Sequence, residues 1–177
     1  QKNMVNQSPK TSFHHSGVNL KLHLGCGDKI LKGWVNCDVQ EKPGVDKVGS
    51  LEDLNFEESS IDEVYACHML EHFGRHEIES IIDKVSSWIK PGGKFWIAVP
   101  DFEACVEQYK QTGNLQEIMG LLMGGQKDPY DYHKFLFDFN LLEALLVESN
   151  FTDIKKYDRS NHDVSIQSID DYSNARS

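Results

Sequence analysis

The sequence predicts an α/β fold built on an open sheet, with a ligand site outside the carboxyl ends of its strands. Short apolar runs alternate along the chain with segments whose apolar residues recur every three and four positions, which is typical of strands followed by amphipathic helices. The first run, residues 20–24, is followed by Gly25 and Gly27, and the next short run ends at Asp38. Ligands of open α/β sheets bind at such strand ends.

Residues 20–38, LKLHLGCGDKILKGWVNCD, contain the features around which the predicted site is organised. Leucines alternate with Lys and His over the first five positions, which predicts a strand with at least one buried face. Gly25 and Gly27 allow a sharp turn and let a ligand lie against the main chain. The carboxylate of Asp38 can accept from both hydroxyls of a ribose. The pattern therefore predicts a ligand that carries a ribose.

The spacing of these residues favours S-adenosylmethionine over a dinucleotide. A dinucleotide fingerprint has a third small residue three positions after the second glycine, and an acid about 20 residues further on. Ile30 stands at the first of these positions, and Asp38 comes after about half the expected distance. Here the sequence resembles the class I S-adenosylmethionine-dependent methyltransferases, and the resemblance extends well beyond the glycines.

Three further motifs carry the resemblance. The segment GSLEDLNF, residues 49–56, resembles the family's G-D-A-x-x-L-P-F, with Ser50 in place of the acid that accepts from the adenine amine. The segment CHMLEHF, residues 67–73, resembles the H-x-L-E-H string that caps the pocket around the methionine part of the cofactor. The segment KPGGKF, residues 90–95, precedes an apolar strand, as in the family.

The resemblance, over roughly residues 20–170, implies a Rossmann-like methyltransferase fold. This is a single-domain, doubly wound α/β fold with a mostly parallel, seven-stranded sheet whose last strand is antiparallel. Residues 150–154 resemble the start of strand six, and residues 164–169 are the candidate for strand seven. Residues 19–177 would form the methyltransferase domain, after a flexible N-terminal arm at residues 1–18.

The resemblance also implies that S-adenosylmethionine is the cofactor. The residues expected to bind it lie at the predicted strand ends and are Leu24, Gly25, Cys26, Gly27, Asp38, Ser50, Leu51, Cys67 and His68.

Helical patterns occupy three later segments. Apolar residues at spacings of three and four predict a helix over residues 75–90, and residues 102–123 are predicted to be helical with an interruption near Gly113. A strand is expected over residues 95–101, and Asp138 is expected to open a helix with a leucine stripe at Leu141, Leu142, Leu145 and Leu146.

The acceptor side is predicted from a long polar segment, residues 123–134, and from two histidines. The segment resembles the G-G-Q…H-K loop of small methyltransferases encoded among surface-polysaccharide genes, where it covers the acceptor pocket. Candidate acceptor-binding residues are Gln126, Tyr130, His133 and Asp101, the last of which has a helix cap as its alternative role. His72 and His133 are the candidate general bases, because the pKa of histidine lies near neutrality. A purely orienting role for His72 stays open.

The amino-acid composition limits the classes of partner that the protein is expected to bind. Twenty-eight acidic against 18 basic residues give a net charge of −10, which argues against a nucleic-acid substrate. No apolar run approaches the roughly 18 residues of a membrane span. The four scattered cysteines predict neither a zinc site nor a disulfide framework, so no metal is expected and a cytoplasmic location is favoured. Neither the oligomeric state nor the acceptor atom follows from the sequence.

The predicted function is methyl transfer to a hydroxyl group of a small molecule or of a sugar or glycan, the sugar resting on the family resemblance. A non-catalytic S-adenosylmethionine-binding module is one alternative. An NAD-dependent sugar oxidoreductase or epimerase is another, since Tyr130 and Lys134 have the spacing of its Tyr-x-x-x-Lys pair. A protein or tRNA methyltransferase would show a basic face or an N/D-P-P-Y motif, and the sequence has neither.

Overall fold

The structure, a computed structural model that describes residues 19–157, contains a parallel sheet of five strands in that range. The strands are β1 (Lys21–Leu24), β2 (Val35–Asp38), β3 (Lys47–Val48), β4 (Ile61–Cys67) and β5 (Ile89–Ala98). They lie in the order β3-β2-β1-β4-β5, and every neighbouring pair is parallel. The strand order therefore reverses between β1 and β4, and ligands of open α/β sheets bind at the carboxyl ends of such strands.

Four helices and one 3₁₀ turn complete the described range. The turn is Leu70–His72, and the helices are α1 (Ile78–Trp88), α2 (Phe102–Thr112), α3 (Gln116–Met123) and α4 (Phe139–Glu148). The predicted interruption near Gly113 is confirmed, because Gly113 ends α2 in the left-handed region with φ of 63°. None of these helices combines the length and the apolarity that a bilayer crossing demands.

The larger hydrophobic core lies on one face of the sheet. Val64 and Ala66 of β4 point to this face, where they join the buried stripe of α1 and two leucines of α4, Leu145 and Leu146. The predicted stripe of α1 is confirmed, because the buried residues of this helix are Ile78, Ile81, Ile82, Val85 and Trp88. Complete burial of one such side chain contributes about 1.5–3 kcal/mol. In α4 the stripe is narrower than predicted, since Leu141 is 40% exposed.

The opposite face carries a smaller cluster, to which Tyr65 and Cys67 of β4 contribute. Its other buried members are Leu31 and Trp34, from the connection between β1 and β2, and Ala98 of β5. No helix of residues 19–157 contributes to it. Helices therefore cover the first face, but within residues 19–157 the predicted doubly wound arrangement is not met, because a short connection covers the second face where a helix was implied.

The prediction of seven strands is not met within residues 19–157. The expected start of strand six, residues 150–154, contains no strand. Asn150 and Asp153 have φ of 67° and 55°, and two left-handed residues so close together prevent an extended run along β5. The expected antiparallel strand seven, residues 164–169, lies outside the described residues.

Strand β5 begins earlier than predicted. Ile89 already pairs with Ile61, and Lys94 pairs with Glu63. The paired positions are two apart in sequence on β4 and five apart on β5, so β5 accommodates three extra residues, 91–93, in a bulge. The helix before it is correspondingly shorter than residues 75–90.

Candidate active site

A cavity of about 890 Å³ opens at the carboxyl ends of β1, β2 and β4. This volume is at the upper end of the usual range for ligand pockets. The side of the cavity next to the strand ends contains every residue predicted to bind the cofactor, namely Leu24, Gly25, Cys26, Gly27, Asp38, Ser50, Leu51, Cys67 and His68. We call this side the cofactor end.

The two glycines after β1 are required for different reasons. Both have positive φ, 65° at Gly25 and 52° at Gly27. A Cβ at Gly25 would come within 2.7 Å of Met69 Cγ, whereas a Cβ at Gly27 would meet no protein atom within 4 Å. Gly27 also lines the cavity. A side chain there would occupy space that a ligand can use.

Asp38 ties the end of β2 to this glycine loop. Its Oδ2 accepts from the backbone N–H of Gly27 at 2.7 Å, and its Oδ1 accepts from that of Gln40 at 2.9 Å. A carboxylate has about four acceptor positions, so about two remain for ligand hydroxyls. The N–H groups of Gly27 and Gln40 thus hold the carboxylate of Asp38 in place at the cavity. With acceptor positions left over, Asp38 and Gly27 fit a ribose-containing cofactor.

Two buried thiols lie behind this loop. Burial raises the pKa of Cys26 to about 11, and the charge of Asp38 adds to the effect. Burial also raises the pKa of Cys37 to about 12. Both thiols are therefore neutral near pH 7, and they line the cavity as small apolar groups and not as nucleophiles.

Ser50 faces the cavity from the loop after β3. Its Oγ donates a hydrogen bond to Asp53 Oδ2 at 2.7 Å and accepts one from the backbone N–H of Asp53 at 3.3 Å, so the hydroxyl keeps one lone pair for a ligand donor. Glu52 lines the cavity and Leu51 is buried beside it. Asp53, in contrast, is oriented toward Ser50 and is absent from the lining of the cavity.

The opposite side of the cavity, which we call the acceptor end, is formed by the 3₁₀ turn and by residues 124–134. The carboxylate of Asp131 organises the segment: its two oxygens accept from the backbone N–H groups of Gly125 and Lys127 at 3.3 and 3.2 Å. The backbone carbonyl of Asp131 accepts from the N–H of Gln126 at 2.9 Å. The segment therefore has defined internal hydrogen bonds.

Glu71 joins the 3₁₀ turn to this segment. Its backbone carbonyl accepts from the N–H of Lys134 at 2.7 Å and of Phe135 at 3.2 Å. Its side chain is 1% exposed, and Oε1 lies 3.0 Å from Nδ1 of His68 and 3.9 Å from Nε2 of His133. A buried carboxylate therefore lies between a histidine of the cofactor end and a histidine of the acceptor end.

Both candidate bases have a defined tautomer. Nδ1 of His72 lies 3.1 Å from the carbonyl oxygen of Tyr132, and Nδ1 of His133 lies 2.8 Å from that of Leu121. Because a carbonyl only accepts, each Nδ1 carries a proton, and in the neutral ring Nε2 keeps its lone pair. Burial lowers the pKa of His133, which favours the neutral ring. The two rings meet edge to face, with centroids 5.0 Å apart.

Residues 30–97 match the model of a family described as a methyltransferase domain. The match begins in the glycine-containing connection after β1 and ends in β5, so it spans Asp38, Ser50 and the motif that contains His68 and Glu71. Within these residues the chain is similar to that family. No curated protein matches the sequence.

The solved structures that have a fold similar to that of this chain include the following three. The 1,6-didemethyltoxoflavin-N1-methyltransferase of Burkholderia thailandensis, with bound 1,6-didemethyltoxoflavin and S-adenosylhomocysteine, has a TM-score of 0.56 at 17% identity, over 78% of this chain and 62% of that one. An S-adenosylmethionine-dependent methyltransferase of Archaeoglobus fulgidus has a TM-score of 0.52 at 16% sequence identity, over 86% of this chain and 76% of that one. The YcgJ protein of Bacillus subtilis has a TM-score of 0.53 at 15% sequence identity, over 79% of this chain and 66% of that one. At such identities the likeness concerns the fold.

The acceptor-side predictions divide into two groups. His72, His133 and Tyr130 line the cavity. Asp101 lies outside it, where its Oδ1 accepts from the N–H of Glu103 at 3.0 Å and caps α2, the alternative role given above. Gln126 is also outside the lining, and its side-chain amide donates to the carbonyl of Met123 at 3.3 Å.

Two residues of the acceptor end were missed in the sequence. Glu71 was visible within H-x-L-E-H, but nothing local indicates that its carboxylate is buried against a segment 60 positions away. Asp131 lies in a run of polar residues, and the conformation of this run depends on its contact with Glu71. Glu71, His72 and His133 each offer one ligand atom, and these three atoms lie within 4.8 Å of one another.

Proposed function

We propose that this protein is an S-adenosylmethionine-dependent methyltransferase and that it transfers the methyl group to a hydroxyl group of a small molecule, with a neutral sugar or glycan as the preferred acceptor class. The observation that carries the proposal is that the cofactor end and two imidazoles with Nδ1–H fixed on carbonyls line one cavity. Such an arrangement has room for a methyl donor beside a group able to take a proton.

The cofactor end would bind S-adenosylmethionine through the strand ends. Asp38 would accept from the ribose hydroxyls, Ser50 from the adenine amine, and Gly27 would let the main chain contact the ligand closely. His68 and Cys67, at the end of β4, would line the part of the cavity that holds the methionine portion. When bound, the cofactor supplies a methyl group on a positively charged sulfur.

The acceptor end would orient the hydroxyl and remove its proton. In-line attack requires the acceptor oxygen about 3–3.5 Å from the methyl carbon, with water excluded. The hydroxyl proton must leave as the new bond forms, and Nε2 of His72 or His133, two residues that line the cavity, would receive it. Tyr130 would contact the acceptor at the rim, where it is 55% exposed.

The charge of the cavity supports a neutral acceptor. Six carboxylates line it, those of Asp38, Glu52, Glu77, Glu117, Asp128 and Asp131, against three lysines, Lys42, Lys127 and Lys134. A phosphorylated or nucleic-acid acceptor would meet net negative charge there. The four free cysteines of the described range support placing the reaction in a reducing compartment such as the cytoplasm.

The oxidoreductase alternative loses its main support. Tyr130 and Lys134 lie in an irregular segment, so their spacing does not place them on one helix face. A nitrogen acceptor is the second candidate, since the relative from Burkholderia thailandensis is named as an N1-methyltransferase.

The decisive experiment offers S-adenosylmethionine with neutral sugars, sugar phosphates, phenols and amines, and measures S-adenosylhomocysteine formation. We expect turnover with a hydroxyl acceptor. Replacing His133 by Asn keeps a donor near Leu121 and removes Nε2, so turnover should fall about 10²–10⁴-fold while cofactor affinity is unchanged. His76→Asn, at an exposed histidine outside the cavity, is the matched control. Turnover with amines alone, or with none of the acceptors, would refute the proposal.

A further inference from the structure

Three potential metal ligands meet where the 3₁₀ turn contacts the segment 124–134. They are one carboxylate, Glu71, and two imidazoles, His72 and His133, and their ligand atoms lie within 4.8 Å of one another. Two imidazoles and one carboxylate form a donor set that Zn²⁺ accepts in catalytic sites, where a fourth position stays open. Mg²⁺ and Ca²⁺ prefer oxygen donors, so this set selects against them.

The hydrogen bonds around the imidazoles resemble those of metal ligands in general. A ligating histidine usually donates its other ring N–H to a backbone carbonyl or a carboxylate, which fixes the tautomer and the ring orientation. Here Nδ1 of His72 donates to Tyr132 and Nδ1 of His133 donates to Leu121, at 3.1 and 2.8 Å. Both rings therefore keep Nε2 for an ion.

The carboxylate provides an independent indication. Glu71 is 1% exposed, and within residues 19–157 its Oε2 is buried without a hydrogen-bond partner. A buried carboxylate oxygen without a partner is costly, and a bound cation is one of the few groups that compensate it. Oε1, in contrast, already lies 3.0 Å from Nδ1 of His68. Oε1 also lies 3.9 Å from Nε2 of His133, so an ion held by both histidines would use Oε1 or, after rotation of the carboxylate, both oxygens.

We propose that Glu71, His72 and His133 bind a divalent transition-metal ion, with Zn²⁺ the best match to the donor set. Tetrahedral ligands at about 2.0–2.1 Å lie roughly 3.4 Å apart, so the three side chains close by about 1 Å on binding. His72 and His133 line the cavity, and the open coordination position therefore faces the acceptor. The catalytic consequence rests on the proposed function and changes one step of it: with both Nε2 atoms on the ion, the imidazoles no longer act as bases, and an acceptor hydroxyl coordinated there would lose its proton to solvent more readily.

The test is calorimetric titration of Zn²⁺ alone into protein stripped with chelator. We expect one ion per chain. Glu71→Gln, which keeps the shape, and His133→Asn should each weaken binding at least about 100-fold, in line with the loss of one of three ligands. His76→Asn and the double variant His14→Asn, His15→Asn are controls that should bind as the wild type does. Absence of binding, full binding by Glu71→Gln, or binding lost in either control would overturn the proposal.

Two further measurements keep the result unambiguous. S-adenosylmethionine affinity, measured on each variant, shows that it is folded, and His72→Asn provides a second ligand variant on a partly exposed turn. Zn²⁺ binding without any hydroxyl methylation would refute the proposed function alone. Hydroxyl methylation by protein that binds no Zn²⁺, at a rate unaffected by chelator, would refute the metal site alone.

Discussion

The two ends of the cavity are built in different ways. The cofactor end consists of residues that directly follow strands, and parallel pairing brings them together: Leu24 pairs with Cys37 on one side and with Ala66 on the other. The acceptor end depends on contacts between distant parts of the chain, such as the hydrogen bond from His72 to the carbonyl of Tyr132, 60 positions away. Strand pairing in the sheet positions the residues of the cofactor end, whereas a segment folded over the sheet positions those of the acceptor end.

This difference explains what the sequence could predict. A glycine pair after an alternating run, and an acid after the next run, have local causes, and every residue predicted to bind the cofactor lines the cavity, where its role stays a prediction. The acceptor end has no such local cause. His72, His133 and Tyr130 were chosen from residue type, and they reach the cavity because residues 133–135 bond to the backbone of Met123 and Glu71.

A loss of both stability and cofactor affinity should come from filling the open side of Gly27. Gly27→Ala and Gly33→Ala form a matched pair, because both glycines have positive φ and neither Cβ would meet an atom within 4 Å, but only Gly27 lines the cavity. Each variant should lose about 1–2 kcal/mol of unfolding free energy, from the left-handed backbone. Only Gly27→Ala should also bind S-adenosylmethionine at least about tenfold more weakly, a cost of about 1.4 kcal/mol.

Denaturant unfolding and cofactor titration of the two alanine variants check this pair. Equal cofactor affinities would mean that the ligand does not contact the main chain at Gly27, and the cofactor end would then need a different description.

A smaller effect is expected at the opposite edge of the sheet, away from both ends of the cavity. Asp62 accepts from Lys90 Nζ at 2.7 Å and from the N–H of Leu20 at 2.8 Å, and these bonds, that to Lys90 above all, hold its pKa below the ordinary value of 3.8. Asp62→Asn should cost about 1 kcal/mol of unfolding free energy at pH 7 and leave cofactor affinity unchanged.

The stability that Asp62 contributes should depend on pH in a defined direction. Because the pKa of Asp62 is lower in the folded state, its contribution is complete above pH 3.8 and is lost as the pH falls through the folded-state pKa. Unfolding curves of wild type and Asp62→Asn should therefore converge at low pH, with the exposed Glu58→Gln as control. A difference that persists at pH 2 would indicate a packing defect instead of a lost charge.

The elements of the fold divide in the same way, into those that depend on nearby residues and those that depend on distant ones. The stripe of α1 and the break at Gly113 were predicted because they depend on nearby residues. The bulge at residues 91–93 depends on how Ile61 and Glu63 pair across the sheet, and the missing strand at residues 150–154 depends on left-handed conformations at Asn150 and Asp153. Asn and Asp adopt that conformation readily but do not require it, so the sequence alone could not show that it is used.

We expect that Asp38 anchors the cofactor and that the two ends of the cavity act separately. Calorimetric titration of S-adenosylmethionine, and separately of NAD, into wild type, Asp38→Ala, Glu41→Ala and His133→Asn tests it most directly. Two hydrogen bonds to a carboxylate contribute about 3 kcal/mol or more, so Asp38→Ala should weaken S-adenosylmethionine binding about 100-fold. The exposed Glu41→Ala and the acceptor-end variant should bind as the wild type does, and NAD should bind none of them. Wild-type affinity in Asp38→Ala, an equal loss in His133→Asn, or tight binding of NAD would contradict the claim.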